Sequence, residues 1–90
     1  MIIISYDIAD DKLRNRFSKM LTKNGAVRLQ FSVYEVNNTS RVINNIVLKI
    51  NDVFAKLFTG GDSVMIIDIG ESKVQKFGNA IHRDQDVVYF

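Results

Sequence analysis

The chain has 90 residues, 47% hydrophobic and 24% charged, a balance that predicts one folded domain over 1–90 rather than a disordered chain. It has no cysteine, which excludes disulfides and thiolate metal sites. The net charge of +2 hides an uneven distribution: residues 1–11 carry three acids and no base, residues 12–28 six bases and no acid, and the remainder six bases and seven acids. A block of that kind favours a polyanionic partner more than the total charge suggests. The N-terminus lacks the pattern of a secretory signal, and no apolar run is long enough for a bilayer, so a soluble, cytoplasmic protein with no membrane partner is expected. A domain this short buries only about 60–65% of its unfolded surface. Its core is thin, and a partner subunit would help.

Residues 2–7 read as a strand, with "IIIS" apolar enough to be buried on both faces. Asp10 suits an N-cap and Asp11 the first turn of a helix that runs to about Asn24, where Gly25 stops it. Leu13, Phe17, Met20 and Leu21 form its apolar stripe. Lys12, Arg16, Lys19 and Lys23 share another face, and Arg14 stands apart. Residues 26–36, "AVRLQFSVYEV", alternate as one long half-buried strand with room for a bulge or bend. Val27, Leu29, Phe31 and Val33 point one way, and Arg28, Gln30, Ser32 and Tyr34 the other. "NNTS" reads as turn and cap before a second helix from about Ser40 to Leu57. Its predicted core stripe is Ile43, Ile46, Val47, Ile50, Phe54, Leu57 and Phe58. "TGGD" breaks the chain, and residues 63–69 form another buried strand. Residues 73–78 are a weaker strand candidate, and 86–90, "DVVYF", a short terminal one. The order suits an α+β domain, and a ferredoxin-like antiparallel sheet with both helices on one face is the favoured architecture. No clear turn divides residues 26–36, although that fold requires a hairpin there.

Asp7 follows directly on a buried strand. Oxygen ligation of this kind suits Mg²⁺ or Mn²⁺, which often use one or two carboxylates with water and phosphate, but turn residues of this type are common without a metal. "DIADD" fails as a calcium loop, because Lys12 stands where glycine is required. The basic stripe has no acids at i±4, so it repels itself by a few tenths of about a kcal/mol per pair. Arg28 adds a cation on the following strand. Tyr6 and Tyr34 can stack on bases, although packing in a sheet is the commoner use of such residues. His82 stands alone in a polar segment, where surface exposure is expected.

"YDIADDKLRNRF" followed by "GAVRLQFSVYE" resembles the CRISPR-associated protein 2 family, the small subunit of the spacer-acquisition machinery. Members begin with a strand ending in Tyr-Asp-Ile, a helix with spaced arginines, a glycine, and a strand reading roughly Arg-x-Gln-x-Ser-Val-Phe-Glu. The resemblance covers residues 2–36. It implies a ferredoxin-like fold with a short additional C-terminal strand, and a symmetric homodimer. It also implies an Asp7 carboxylate from each protomer at a shared Mg²⁺ or Mn²⁺ site, and nuclease-associated positions at Tyr6, Arg14, Arg16 and Arg28. Tyr34 occupies the usual phenylalanine position. Gln30, Ser32 and Tyr34, with Arg28, are then expected to face the partner's sheet.

Two functions follow from the resemblance. In the first, the homodimer bridges dimers of the integrase subunit, CRISPR-associated protein 1, and holds prespacer DNA on Lys12, Arg16, Lys19, Lys23 and Arg28 without reading its sequence. In the second, the protein is a metal-dependent endonuclease acting on RNA or DNA through Asp7. The first is favoured, because one carboxylate per chain is sparse equipment for hydrolysis. A stand-alone endoribonuclease, Mg²⁺-dependent or toxin-like, is the alternative.

Overall fold

The Asp10 carboxylate accepts a hydrogen bond from the Leu13 amide at 2.8 Å, and the first helix starts there, as its capping sequence predicts. The computed structural model describes residues 1–71 and 74–78. Its elements in chain order are β1 (Ile2–Asp7), α1 (Asp11–Lys23), β2 (Val27–Gln30), β3 (Val33–Val36), α2 (Ser40–Lys49) and β4 (Ser63–Asp68). After α2 the backbone stays helical but changes pitch, with a π segment at Ile50–Phe54 and a 3-10 turn at Ala55–Leu57. Gly25 ends α1 with φ +90, a conformation that costs a side-chain-bearing residue energy. A Cβ there would also meet the Asn38 amide nitrogen at 3.1 Å.

The four strands form an antiparallel sheet in the order β2-β3-β1-β4. This is the ferredoxin-like arrangement that the sequence predicts. The missing hairpin lies within residues 26–36. The chain turns at Phe31 and Ser32, Ser32 takes φ +66, and Leu29 is a bulge between the pairs Arg28–Tyr34 and Gln30–Val33.

Ile2, Ile4 and Tyr6 of β1 face the helices and pack with Leu13, Phe17, Met20 and Leu21 of α1 and with Ile46, Ile50 and Phe54. Each such side chain, fully buried, contributes about 1.5–3 kcal/mol. Phe17 is the centre of this layer, edge-on to Tyr6 at 4.7 Å and to Phe54 at 5.1 Å between ring centroids. The opposite face of the sheet carries Ile3, Ser5 and Asp7 from β1 and, by register, Ser63, Met65 and Ile67 from β4 and Val33 and Glu35 from β3. No helix covers it among the described residues.

Several expectations need correction. Residues 26–36 are two strands; Leu29 of β2 is buried as expected, but the faces of β3 are reversed. Tyr34 lies opposite Ile4 and is buried under α1, whereas Val33 lies opposite Ser5 on the open face. Phe31, expected inward, is 75% exposed because it sits on the turn. The strand at 63–69 is not buried: among the described residues β4 lies at the edge of the sheet, and Met65 is 58% exposed. The stripe on the second helix is narrower than its periodicity suggests: Val47, within α2, and Leu57, in the turn that follows the change of pitch, are exposed. Residues 74–78 carry no strand. The terminal strand expected at 86–90 and the loop containing His82 lie outside the described residues. Among the described residues, no helix is long and apolar enough to cross a membrane.

Candidate nucleic-acid interface

α1 presents Arg16, Lys19 and Lys23 to solvent along one face, because Met20 and Phe17 turn the other face into the core. The helical segment after α2 runs alongside. Together they form a groove of about 350 Å³ lined by Arg16, Lys19, Lys23 and Lys49 over a floor that includes Met20, Val53 and Phe54. The Arg16 guanidinium lies 6.0 Å from the Phe54 ring centroid. No acid lines this groove among the described residues. Lys49 joins three members of the predicted stripe. Sequence spacing does not reveal it, since it belongs to the other helix. Lys12 lies elsewhere, in a mixed-charge groove of about 320 Å³ with Asp10, Arg16 and Asp62.

A second group of predicted residues meets on the side of the helix layer near the β2–β3 turn. Tyr6, Arg14 and Arg28 line a cavity of about 510 Å³ with Asn15, Ser18, Phe31 and Ser32. The Tyr6 amide donates to the Ser32 carbonyl at 3.1 Å, which fixes the turn to the end of β1. Arg14 donates from Nη1 to the Ile8 carbonyl at 3.0 Å and reaches that of Ala9, and it pairs with Asp11 through Nη2. Much of its hydrogen bonding therefore holds the β1–α1 loop. Arg28 stacks on Phe31, its guanidinium carbon 4.8 Å from the ring centroid.

Tyr6 and Tyr34 stack at 6.1 Å, and the Tyr34 hydroxyl shares a 2.6 Å hydrogen bond with Ser18 Oγ. Burial, and then the neighbouring Tyr34 hydroxyl, push the Tyr6 phenol up to about 12. A phenol that keeps its proton so far above neutrality can donate a hydrogen bond, but it is a poor general base near pH 7. Tyr34 belongs to the protomer's own core, so its side chain does not face outward from the open sheet. Gln30 is exposed at the end of β2, and Ser32 is half-buried on the turn.

Asp7 takes no part in this cavity. Successive strand residues point to opposite faces, so Tyr6 enters the core and Asp7 stands on the open face beside Ser63. Arg16 is not at the cavity either. The five positions associated by resemblance with nuclease activity therefore separate within one protomer: three around the cavity, one on the basic groove and one across the sheet. Among the described residues, no three His, Cys, Asp or Glu side chains gather into one group. One Asp7 supplies part of an Mg²⁺ site at most.

Asp62 holds the loop before β4 in place. Its carboxylate accepts from the amides of Ala9 and Thr59, each at 3.0 Å. The Thr59 and then the Ala9 bond hold it below the usual carboxylate range. This bridge ties the β1–α1 loop to the start of β4, next to the Asp7–Ser63 pair. The sequence offered only a turn there.

The family model for CRISPR associated protein Cas2 matches residues 1–77. The chain belongs to that family. A Cas2 relative from Thermofilum pendens, named CRISPR-associated endoribonuclease Cas2, is 28% identical over 76 residues, which cover 84% of this chain and 77% of the relative. A crystal structure of Cas2 superimposes with a TM-score of 0.59 at 22% identity, covering 97% of this chain and 91% of the other. That likeness concerns the fold and agrees with the ferredoxin-like sheet.

Proposed function

We propose that this Cas2 family member is a homodimeric subunit of the CRISPR adaptation complex. It would hold prespacer DNA on the α1 groove and bridge copies of the integrase subunit, CRISPR-associated protein 1. The observation that carries this reading is the groove lined by Arg16, Lys19, Lys23 and Lys49 without an acid among the described residues. Four like charges over an apolar floor repel one another, and phosphates relieve that repulsion. Such contacts follow a backbone and read no sequence.

Pairing of two copies is supported by the open face of the sheet. Met65 is 58% and Ile67 45% exposed there, beside half-buried Ile3 and Val33. Among the described residues no strand lies beyond β4, and an edge strand with apolar side chains is prone to aggregation unless something covers it. A second copy packed on this face would cover those side chains and bring two Asp7 carboxylates onto one interface.

A second reading, metal-dependent phosphodiesterase activity, is favoured by the endoribonuclease name of the Thermofilum relative. The residues fit Mg²⁺ or Mn²⁺ only if both copies contribute Asp7. Such an ion would supply positive charge to a phosphate. In this reading Asp7 holds the cation, and Arg14, Arg28 and Tyr6, on the other side of the sheet, belong to substrate binding. Because these groups do not converge within a protomer, the holding function is the better supported of the two.

The test pairs sedimentation of the purified protein with anisotropy titrations of a labelled duplex at several salt concentrations. A dimer whose duplex affinity falls steeply with salt is expected. A monomer at working concentration, or an affinity insensitive to salt, would refute the reading.

A further inference from the structure

Asp7 is the exposed member of a short run whose neighbours are held from several sides. Tyr6 and Ile8, before and after it, are both buried. The Tyr6 amide donates to the Ser32 carbonyl at 3.1 Å, and Arg14 Nη1 donates to the Ile8 carbonyl at 3.0 Å. The Ala9 amide donates to Asp62 Oδ1 at 3.0 Å, between positions 53 residues apart in sequence. Among the described residues, the Asp7 carboxylate has no hydrogen-bond or ion-pair partner of its own. A fixed backbone around an unpaired side chain orients that side chain in advance for a partner from outside the protomer.

Asp62 makes its tie from a turn that is closed on itself. Its Oδ2 accepts from the Thr59 amide at 3.0 Å, and its own amide donates to the Thr59 carbonyl at 2.9 Å. Ser63, the next residue, lies opposite Asp7 in the β1–β4 register. Both Asp62 oxygens are thus occupied by backbone amides, which leaves the carboxylate poorly placed to ligate a cation. We propose that Asp62 is a positioning residue for the cation site at Asp7. It grips the Ile8–Ala9 backbone, so that the Asp7 carboxylate meets a hard divalent cation already ordered. A carboxylate on a loose strand end loses conformational freedom when it takes an ion, and that loss weakens binding. A pinned one has lost that freedom on folding. The proposal rests on the cation reading above, in which each protomer contributes Asp7, and adds to it a residue that acts through the backbone.

The test measures Mn²⁺ binding to the purified protein without nucleic acid, from the paramagnetic resonance signal of the free ion. Asp62→Ala should weaken that binding by about tenfold or more, the scale found when outer partners of metal ligands are removed. Asp62→Asn keeps the side-chain volume but turns an N–H₂ group toward one of the two amides, so it should weaken binding too. It also serves if Asp62→Ala does not fold. Loss of a negative charge by itself weakens cation binding through space. At about 1 M KCl the screening length falls to about 3 Å, and the ratio between parent and variant should persist there. Hydrogen exchange gives an independent readout: the Ala9 amide should exchange faster in either variant, while Ile4 in the centre of the sheet stays protected. Faster exchange at Ala9 with parental Mn²⁺ affinity would make Asp62 a structural tie and overturn the proposal. So would a difference in affinity that vanishes at high salt. Asp7-dependent binding that neither Asp62 substitution alters defeats this inference alone. A parent that binds no Mn²⁺, or an Asp7→Ala variant that binds it as the parent does, defeats the cation reading as well.

Discussion

Replacing both Lys19 and Lys23 by Gln tests the groove most directly. The two are exposed, four residues apart on α1, and line the groove with Arg16 and Lys49. If each of the four cations in a protomer meets one phosphate, a pair of protomers neutralises eight. The logarithm of affinity should then fall with the logarithm of salt at a slope of about −7. Between 50 and 200 mM salt that slope removes a factor of about 10⁴ in affinity. The double variant keeps half the cations, so its slope should drop to about −3.6 and the loss over the same range to about 10². Anisotropy of a labelled duplex at five or six salt concentrations measures both slopes. Folding does not confound the result, because removing a like-charge i,i+4 pair stabilises a helix by about 0.2–0.5 kcal/mol. The melting temperature should hold or rise slightly. A double variant with the parental slope would refute the groove as the phosphate contact.

Other substitutions probe separate parts of the molecule. Asp7→Ala should abolish any Mg²⁺-dependent cleavage of labelled RNA or DNA while leaving duplex affinity unchanged, and cleavage that survives would remove Asp7 from the chemistry. Tyr6 titrates near about 12 when folded against about 10 when unfolded, so its contribution to stability is complete below pH 10 and is lost as pH rises toward 12. The loss amounts to about 2–3 kcal/mol. In urea melts the gap between parent and Tyr6→Phe should shift by that amount across the interval, and a constant gap would contradict it. Ser32→Gly should relieve the left-handed strain at φ +66 and stabilise by about 0.5–1 kcal/mol, read as a rise of a few degrees in thermal unfolding. A fall would mean that the serine side chain contributes more than its backbone costs.

Much of the fold was legible because local signals agreed with tertiary packing. Asp10 as cap, Gly25 as stop and the stripe of Leu13, Phe17, Met20 and Leu21 all stand where chain chemistry puts them. The hairpin was hidden for a geometric reason. A two-residue turn after Gln30 pairs positions of opposite parity, Gln30 with Val33, and would have broken the alternation. The bulge at Leu29 restores equal parity, so Arg28 pairs with Tyr34 and Val27 with Glu35. The alternating pattern therefore reads straight through the turn, and Phe31-Ser32 lacks the Asn-Gly type of signal that would have exposed it. Apolar content misled at β4, because "VMII" marks a surface to be covered as readily as an interior. At the candidate sites the residue types were legible and their grouping was not. Strand alternation separates Tyr6 from Asp7, and only the packing of two helices joins Lys49 to the basic stripe.

The position of β1 has a consequence for how the protein is made. It is translated before both of its neighbours, yet it lies between β3 and β4, and its register with β4 pairs Ile2 with Asp68. The ribosome must release nearly the whole described chain before that strand can be flanked on both sides. Until then Ile2 and Ile4 have a neighbour on one side only, a state that invites chaperones. Such distant pairing also slows folding relative to a helical chain of equal length. Nascent chains whose Ser63–Asp68 segment is still inside the ribosome should therefore remain protease-sensitive at the N-terminal strand, and chains that have released it should become resistant.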